Sequence, residues 1–246
     1  MNRVSEGRIR REVCEIGRRL YARGLVASFD GNVSVRLPGG LVLTTPTGMC
    51  KGFLSPRDLV VVDLDGSVRK GRRAPSSELG MHLRVYRENP EVGAVVHAHP
   101  PVATSYAVAG YRLDRAILAE SVVNLGVVPV APYATPGTQD VPDSIAPFCR
   151  TSNAVLLANH GALTWGATLQ EAYGRMESLE SYATLTMNAM SLIGRANELS
   201  TAQIEELLET RRRLGIVAGG IPPSVPAETN RSDFPGVPTP GGQKTR

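Results

Sequence analysis

The chain has 246 residues, 42% hydrophobic and 20% charged, with a formal net charge of +4 at pH 7. That is enough apolar material for one full core, or at most two, and no run of about 18 apolar residues occurs that would span a membrane. Arginine carries most of the positive charge, since lysine occurs only as Lys51, Lys70 and Lys244. No aromatics interleave with it, so an anionic small substrate is expected rather than a nucleic acid.

The first stretch, MNRVSEGRIRREVCEIGRRL, is charged where a signal peptide needs an apolar centre, so a cytoplasmic protein is expected. Cys14, Cys50 and Cys149 are far apart and form no CxxC pair, which favours reduced structural thiols over disulfides or a thiolate zinc site. Ile9, Val13, Ile16 and Leu20 recur at helical spacing, and Gly24 is placed to end that helix. VSVRL and LVLTT flank Pro38-Gly39-Gly40 as a hairpin, and LVVVDLDG reads as a further strand turning at Asp65-Gly66.

Two stretches within this region, Gly31 to Ser34 and Thr45 to Gly48, read as loops. Small polar side chains beside glycines let backbone N–H groups face an anion there, although turns use the same residues for backbone reasons alone. Next, PSSELGMHLRVYRENP reads as a helix capped by Ser76 or Ser77, with Leu79, Leu83 and Tyr86 on one face and Asn89-Pro90 ending it. A helix start with two hydroxyls suits a phosphate. Glu78 in its first turn either offsets the helix dipole or acts as a general acid/base, and spacing does not decide between them. His82, one turn later, reads as structural or supporting.

A buried strand then runs from Val92 to His99. Alternate side chains of a strand share a face, so His97 and His99 project to the same side, roughly 6 to 7 Å apart at the backbone, and both can reach one ion. A helix at VATSYAVAG, short strands and turns over 117–137, and a short helix over 143–150 follow. Ala154 to Ala158 forms another buried strand, with Asn159-His160-Gly161 turning out of it. Thr168 caps a long helix striped by Ala172, Met176, Leu179 and Ala183, and a last helix covers 201–214. From residue 219 onward the sequence is proline-rich, glycine-rich and polar. We therefore expect a catalytic domain over 1–218 and a flexible tail over 219–246.

The ordered motifs GNVS, TPTG, PSSE, VHAHP, APYAT and NHG resemble those of the class II aldolase/adducin family, and most of all its sugar-phosphate aldolases of the fuculose-1-phosphate type. The resemblance runs from the first helix to about residue 210. It implies an α/β fold of three layers, α-β-α, with a largely antiparallel central sheet, assembled as a homotetramer. It also implies one Zn(2+) per subunit on His97, His99 and His160, Glu78 as the catalytic acid/base, and Asn32, Thr47, Gly48, Ser76 and Ser77 around the substrate phosphate.

The implied reaction is retro-aldol cleavage of a ketose 1-phosphate to dihydroxyacetone phosphate and an aldehyde. Its charged intermediate needs a lysine imine or a cation, and no lysine here has an evident apolar pocket to lower its pKa. The family's epimerases carry aspartate at the Glu78 position, which favours cleavage over pentulose-phosphate 4-epimerisation. A metal-dependent decarboxylase and a non-enzymatic adducin-like module also stay open. Leu118 stands where the aldolases have a tyrosine that assists at the cleaved hydroxyl, with Glu120, Tyr111 and Tyr133 as possible replacements. The loss of that polar group points toward a 5-deoxy- or 5-methylthio-ribulose 1-phosphate.

Overall fold

The first helix follows its apolar stripe. In the computed structural model, which describes residues 5–223, α1 (Glu6–Ala22) buries Val13, Ile16 and Leu20, and the Ser5 side chain caps it by accepting from the Arg8 N–H. Two strands, β1 (Asn32–Leu37) and β2 (Leu41–Thr44), form the expected hairpin, followed by β3 (Val60–Asp63) and β4 (Val68–Lys70). The central strand, β5 (Ala94–Ala98), follows helix α2 (Leu79–Glu88) and leads into α3 (Pro101–Ala109). The remaining elements are α4 (Ala119–Asn124), β6 (Val130–Ala131), α5 (Asp140–Ile145), β7 (Ala154–Leu157), β8 (Gly161–Gly166), α6 (Leu169–Ile193) and α7 (Thr201–Arg213).

All eight strands form one sheet in the order β4-β3-β2-β1-β5-β8-β7-β6. Every neighbouring pair is antiparallel except β6 with β7, which is parallel, so the sheet is mixed but mostly antiparallel. Helices cover both faces. One core joins α1, α3 and α6 to the sheet, and the other joins α2 and α5 to the opposite face. No helix among the described residues is long and apolar enough to cross a membrane.

Several expectations need correction. Asn32 to Ser34 open β1 rather than forming a loop, because each pairs with β5. Neither Ser76 nor Ser77 caps α2; Glu78 holds the N-cap position, and the Ser76 hydroxyl accepts from the Glu78 N–H in a turn before it. The helix expected over 143–150 lies earlier, at α5, and continues as a short 3-10 turn, Ala146–Phe148. Residues 119–124, expected as strand and turn, are helical, a segment too short to show a period. β8 was not foreseen at all. All six of its residues are buried, so it lacks the polar alternation that marks a half-exposed strand.

At the proposed domain boundary, Gly219 and Gly220 are docked. The Gly219 N–H donates to the Thr151 carbonyl at 2.8 Å, and the Arg211 guanidinium donates to the Gly220 carbonyl at 3.2 Å. The rest of the expected tail, from residue 224, lies outside the described residues.

Leu156 in β7 is fully buried within the face shared with α3 and α6. Leu156→Ala should lower unfolding free energy by about 2–5 kcal/mol, read as a lower urea midpoint at unchanged slope.

Candidate active site

β5 is paired along both edges. His97 lies opposite Asn32 of β1 and opposite Leu163 of β8, and Ala98 opposite Ala162. The two histidines of VHAHP therefore emerge at the carboxyl end of a central strand, as their spacing predicted. His97 is fully buried, while His99 lies just past the strand, its N–H donating to the Leu25 carbonyl at 3.0 Å.

His160 comes from the turn between β7 and β8. Asn159 adopts a left-handed φ of 55°, and Gly161 packs directly on the histidines: a Cβ there would lie 2.6 Å from His99 Cδ2 and 2.7 Å from the Ala98 carbonyl oxygen. Only glycine fits. Gly31, at φ 72°, plays the same part on the other edge, where a Cβ would lie 2.8 Å from the His97 carbonyl oxygen.

The three rings meet. Their centroids are 4.8 to 4.9 Å apart, and one nitrogen from each lies within 4.8 Å of the others. His97 Nδ1 is 2.9 Å from the Ala162 carbonyl, to which it donates, so its Nε2 keeps a lone pair toward the centre. There it lies 3.1 Å from His99 Nε2, a contact that needs a proton or a cation between the two nitrogens. The donor set of three imidazoles fits a divalent ion.

Glu78 closes the remaining side. Its Oε1 is 2.9 Å from His160 Nε2, and its Oε2 is 3.4 Å from His97 Nε2 and accepts from Asn32 Nδ2 at 2.9 Å. Burial pushes this carboxyl upward, but His97 and His160 more than reverse that and hold it below the usual carboxylate range. His99 is pushed down to about 3 by burial, then by its neighbours His97 and His160, which favours the neutral ring that binds a metal.

The remaining predicted site residues fall into two groups. The Thr45–Gly48 loop runs beside the start of α2: Pro46 bridges Pro75, the Thr47 N–H donates to the Ala74 carbonyl at 3.1 Å, and the Ser76 N–H donates to the Thr45 carbonyl at 3.3 Å. Thr47, Gly48 and Ser77 are exposed there and Ser76 is half-buried. Asn32, by contrast, is buried and committed to Glu78. Leu118 precedes α4 and is half-buried, and Glu120, Tyr111 and Tyr133 lie at the surface.

Sequence reasoning missed three features. The Ala162 carbonyl carries no residue-type signal and follows only from strand register. Asp30, with Oδ2 3.6 Å from His99 Nδ1, sits in a turn that reads as ordinary. Lys51 was expected to lack an apolar pocket, yet it is buried at 2% exposure and burial lowers its pKa. Gly17 of α1 permits this, since a Cβ there would lie 2.4 Å from the Lys51 carbonyl oxygen. The ammonium donates to the Phe29 and Met49 carbonyls at 2.6 and 2.7 Å, so it ties two loops together.

Residues 11–187 match the pattern described as the Class II Aldolase and Adducin N-terminal domain. The chain belongs to this class II aldolase and adducin family. Among its relatives, the 3-oxo-tetronate 4-phosphate decarboxylase of Escherichia coli K12 is 38% identical over 184 residues, 73% of this chain and 86% of the relative. The 5-deoxy-D-ribulose 1-phosphate aldolase of Bacillus thuringiensis serovar kurstaki is 34% identical over 201 residues, 80% of this chain and 92% of the relative. Among solved structures, the L-fuculose-1-phosphate aldolase of Thermus thermophilus superposes with a TM-score of 0.69 at 34% identity, covering 78% of this chain and 98% of that one. Class II aldolases typically depend on a divalent metal, and the three-imidazole group is where this chain could hold one.

Two substitutions test the group. His160→Ala should weaken binding of a divalent ion at least about tenfold, and Gly161→Ala should do the same with every histidine kept, because the added methyl displaces His99. Elemental analysis after dialysis reads both. Full metal content in either variant would contradict this geometry.

Proposed function

We propose that the protein is a zinc-dependent lyase that breaks a carbon–carbon bond in a phosphorylated sugar-type substrate. The leading reading is an aldolase splitting a ketose 1-phosphate, of the fuculose or 5-deoxy- or 5-methylthio-ribulose type, into dihydroxyacetone phosphate and an aldehyde. The observation that carries this proposal is the Glu78 carboxylate, fixed by Asn32 and set against three converging imidazoles. The wider proposal places the protein in the cytoplasm as a homotetramer with one ion per subunit.

Bound by His97, His99 and His160, the ion would supply the positive charge that lets the electron pair of the broken bond rest on substrate oxygens. The chain's own residues do the rest. The Pro46–Pro75 bridge brings the two loops together, and the hydroxyls of Thr47, Ser76 and Ser77 with the Gly48 N–H would hold the phosphate, with Asn32 on the Glu78 side. As the bond breaks, the departing hydroxyl gives up a proton while the carbon that keeps the electron pair gains one. The Glu78 carboxylate would first take up a proton released in the reaction and then pass it to that carbon, and its contact with Asn32 orients it.

Decarboxylation of a 3-oxo acid phosphate is the second reading. It leaves the same electron pair next to a carbonyl, yet it needs no base at a cleaved hydroxyl. Leu118, standing where the aldolases have a tyrosine, favours it, as does the decarboxylase relative at 38% identity. Epimerisation is disfavoured by glutamate rather than aspartate at position 78. An adducin-like module has no need of the metal and acid/base groups together.

The deciding assay incubates purified protein, with and without chelator, with ketose 1-phosphates and with 3-oxo acid 4-phosphates, following dihydroxyacetone phosphate and carbon dioxide. Dihydroxyacetone phosphate from a ketose 1-phosphate without carbon dioxide names the aldolase. Carbon dioxide from a 3-oxo acid 4-phosphate names the decarboxylase, whose other product from a tetronate is also dihydroxyacetone phosphate. Either, abolished by chelation, supports the lyase, and neither being released would refute it. Glu78→Gln should keep its metal and lose about 10²–10⁴-fold in turnover. Borohydride added with substrate should leave activity intact, because the Lys51 ammonium is already bonded to two carbonyls and forms no imine.

A further inference from the structure

Among the described residues, four buried side-chain atoms have no hydrogen-bond partner, and two of them belong to residues tied to Glu78. One is Asn32 Oδ1, whose amide nitrogen is on the Glu78 carboxylate. The other is His82 Nε2, on a fully buried ring one helical turn after Glu78.

These residues form adjacent rungs between a strand and a helix. Asn32 and Ser34 share one face of β1, about 6–7 Å apart, and Glu78 and His82 are four positions apart, about 6 Å along the helix axis. Asn32 Nδ2 bonds Glu78 Oε2 at 2.9 Å, and Ser34 Oγ bonds His82 Nδ1 at 2.7 Å. A third group extends the second rung, since the Tyr86 hydroxyl lies 2.8 Å from Ser34 Oγ. The spacings match, so the rungs run side by side with one unpartnered atom on each.

Proton directions follow from the carboxylate backwards. Glu78 accepts, so Asn32 presents its nitrogen to it and keeps Oδ1 as an acceptor. The group that satisfies Oδ1 must donate, which assigns the hydrogen of the neutral His82 ring to Nε2. Burial supports the neutral ring, pushing His82 down to about 3. Nδ1 then accepts from Ser34, and Ser34 accepts from Tyr86. Each atom of the two rungs is then satisfied in one direction except Asn32 Oδ1 and His82 Nε2, an acceptor and a donor that no direct hydrogen bond reaches. A single buried water can satisfy one acceptor and one donor together.

We propose that His82 is a positioning residue for Glu78: its Nε2–H, through one buried water, holds Asn32 Oδ1 and so keeps the Asn32 amide nitrogen aimed at the carboxylate. The inference rests on the proposed acid/base role of Glu78, and its first test does not. In the metal-loaded protein labelled with ¹⁵N-histidine there are four histidine rings, and the one whose signals vanish in His82→Gln is His82. The Nε2–H tautomer is expected; an Nδ1–H tautomer overturns the chain of donors, whatever the enzyme's substrate.

The second test uses the substrate found active above. His82→Leu should lower kcat about 10–100-fold with KM and metal content within about twofold, and His82→Gln, which keeps an N–H donor, should recover most of the loss. A wild-type kcat in His82→Leu, or a loss that His82→Gln fails to recover, overturns the proposal. If His82→Leu does not fold, Ser34→Ala decides in its place: its kcat should fall below that of His82→Gln, and the opposite order overturns the proposal. Turnover absent on every substrate would sink the proposed function and leave the tautomer result standing.

Discussion

Backbone hydrogen bonds along both edges of β5 hold Asn32, His97 and Leu163 in one row across three strands, with Ala162 in the next rung. Asn32 pairs with His97, Ala98 pairs with Ala162, and the His97 ring bonds the Ala162 carbonyl. Because side chains alternate with a period of two, a slip of one residue would turn His97 and Asn32 to opposite faces and empty the site. Val95 and Val96, which precede His97 on β5, are fully buried on opposite sides of the sheet and oppose any such slip. Burial of the core is thus what sets the distance between an imidazole and its partners. Site geometry and fold stability are one constraint here, since neither the register nor the glycines at 31 and 161 can change without moving a histidine.

Electrostatics pulls in the same direction. A buried carboxylate is costly unless paired, and Glu78 gains three partners: the Asn32 amide, His97 and His160. Its place at the N-cap of α2 adds the helix dipole, worth about 0.3–1 kcal/mol, a small term beside direct contacts with two imidazoles. Lys51 shows the opposite case, a buried cation satisfied by carbonyl oxygens alone. Its role is to fix the loops at Phe29 and Met49, next to Asp30 and Gly48, so a charge that resembles a catalytic amine by residue type is architectural by its contacts.

How much of this was legible depended on whether the signal was local. The alternation in HAH, the stripes of α1 and α6 and the Thr168 cap depend on neighbours in sequence, and the structure follows them. β8 could not be read, because a strand buried on both faces has no alternation and its six residues are too few to distinguish from a buried helical turn. Residues 119–124 went the same way for the same reason of length. The Ser34–His82–Tyr86 contacts, the Ala162 carbonyl and the burial of Lys51 all join residues far apart in sequence, through pairings that only the sheet order defines. The motif resemblance reached further than periodicity because it carries tertiary information: it brought His160 to His97 across 63 positions that no local pattern connects.

The mixture of reactions among relatives has a physical reading in this arrangement. Retro-aldol cleavage and loss of carbon dioxide from a 3-oxo acid share one half: a carbonyl polarised by a cation, and a carbon that keeps an electron pair and then takes up a proton. In the proposed reaction the three imidazoles, Asn32 and Glu78 serve that half, and all of them are fixed by β1, β5, the β7–β8 turn and the start of α2. The other half, where an aldehyde or carbon dioxide departs, needs a proton acceptor in one case and none in the other. Leu118, at the start of the six-residue α4, lies outside the row set by β5. A change there leaves the strand register undisturbed. Divergence is therefore cheapest on that side, where a substitution moves none of the strands that hold His97, Asn32 and Ala162.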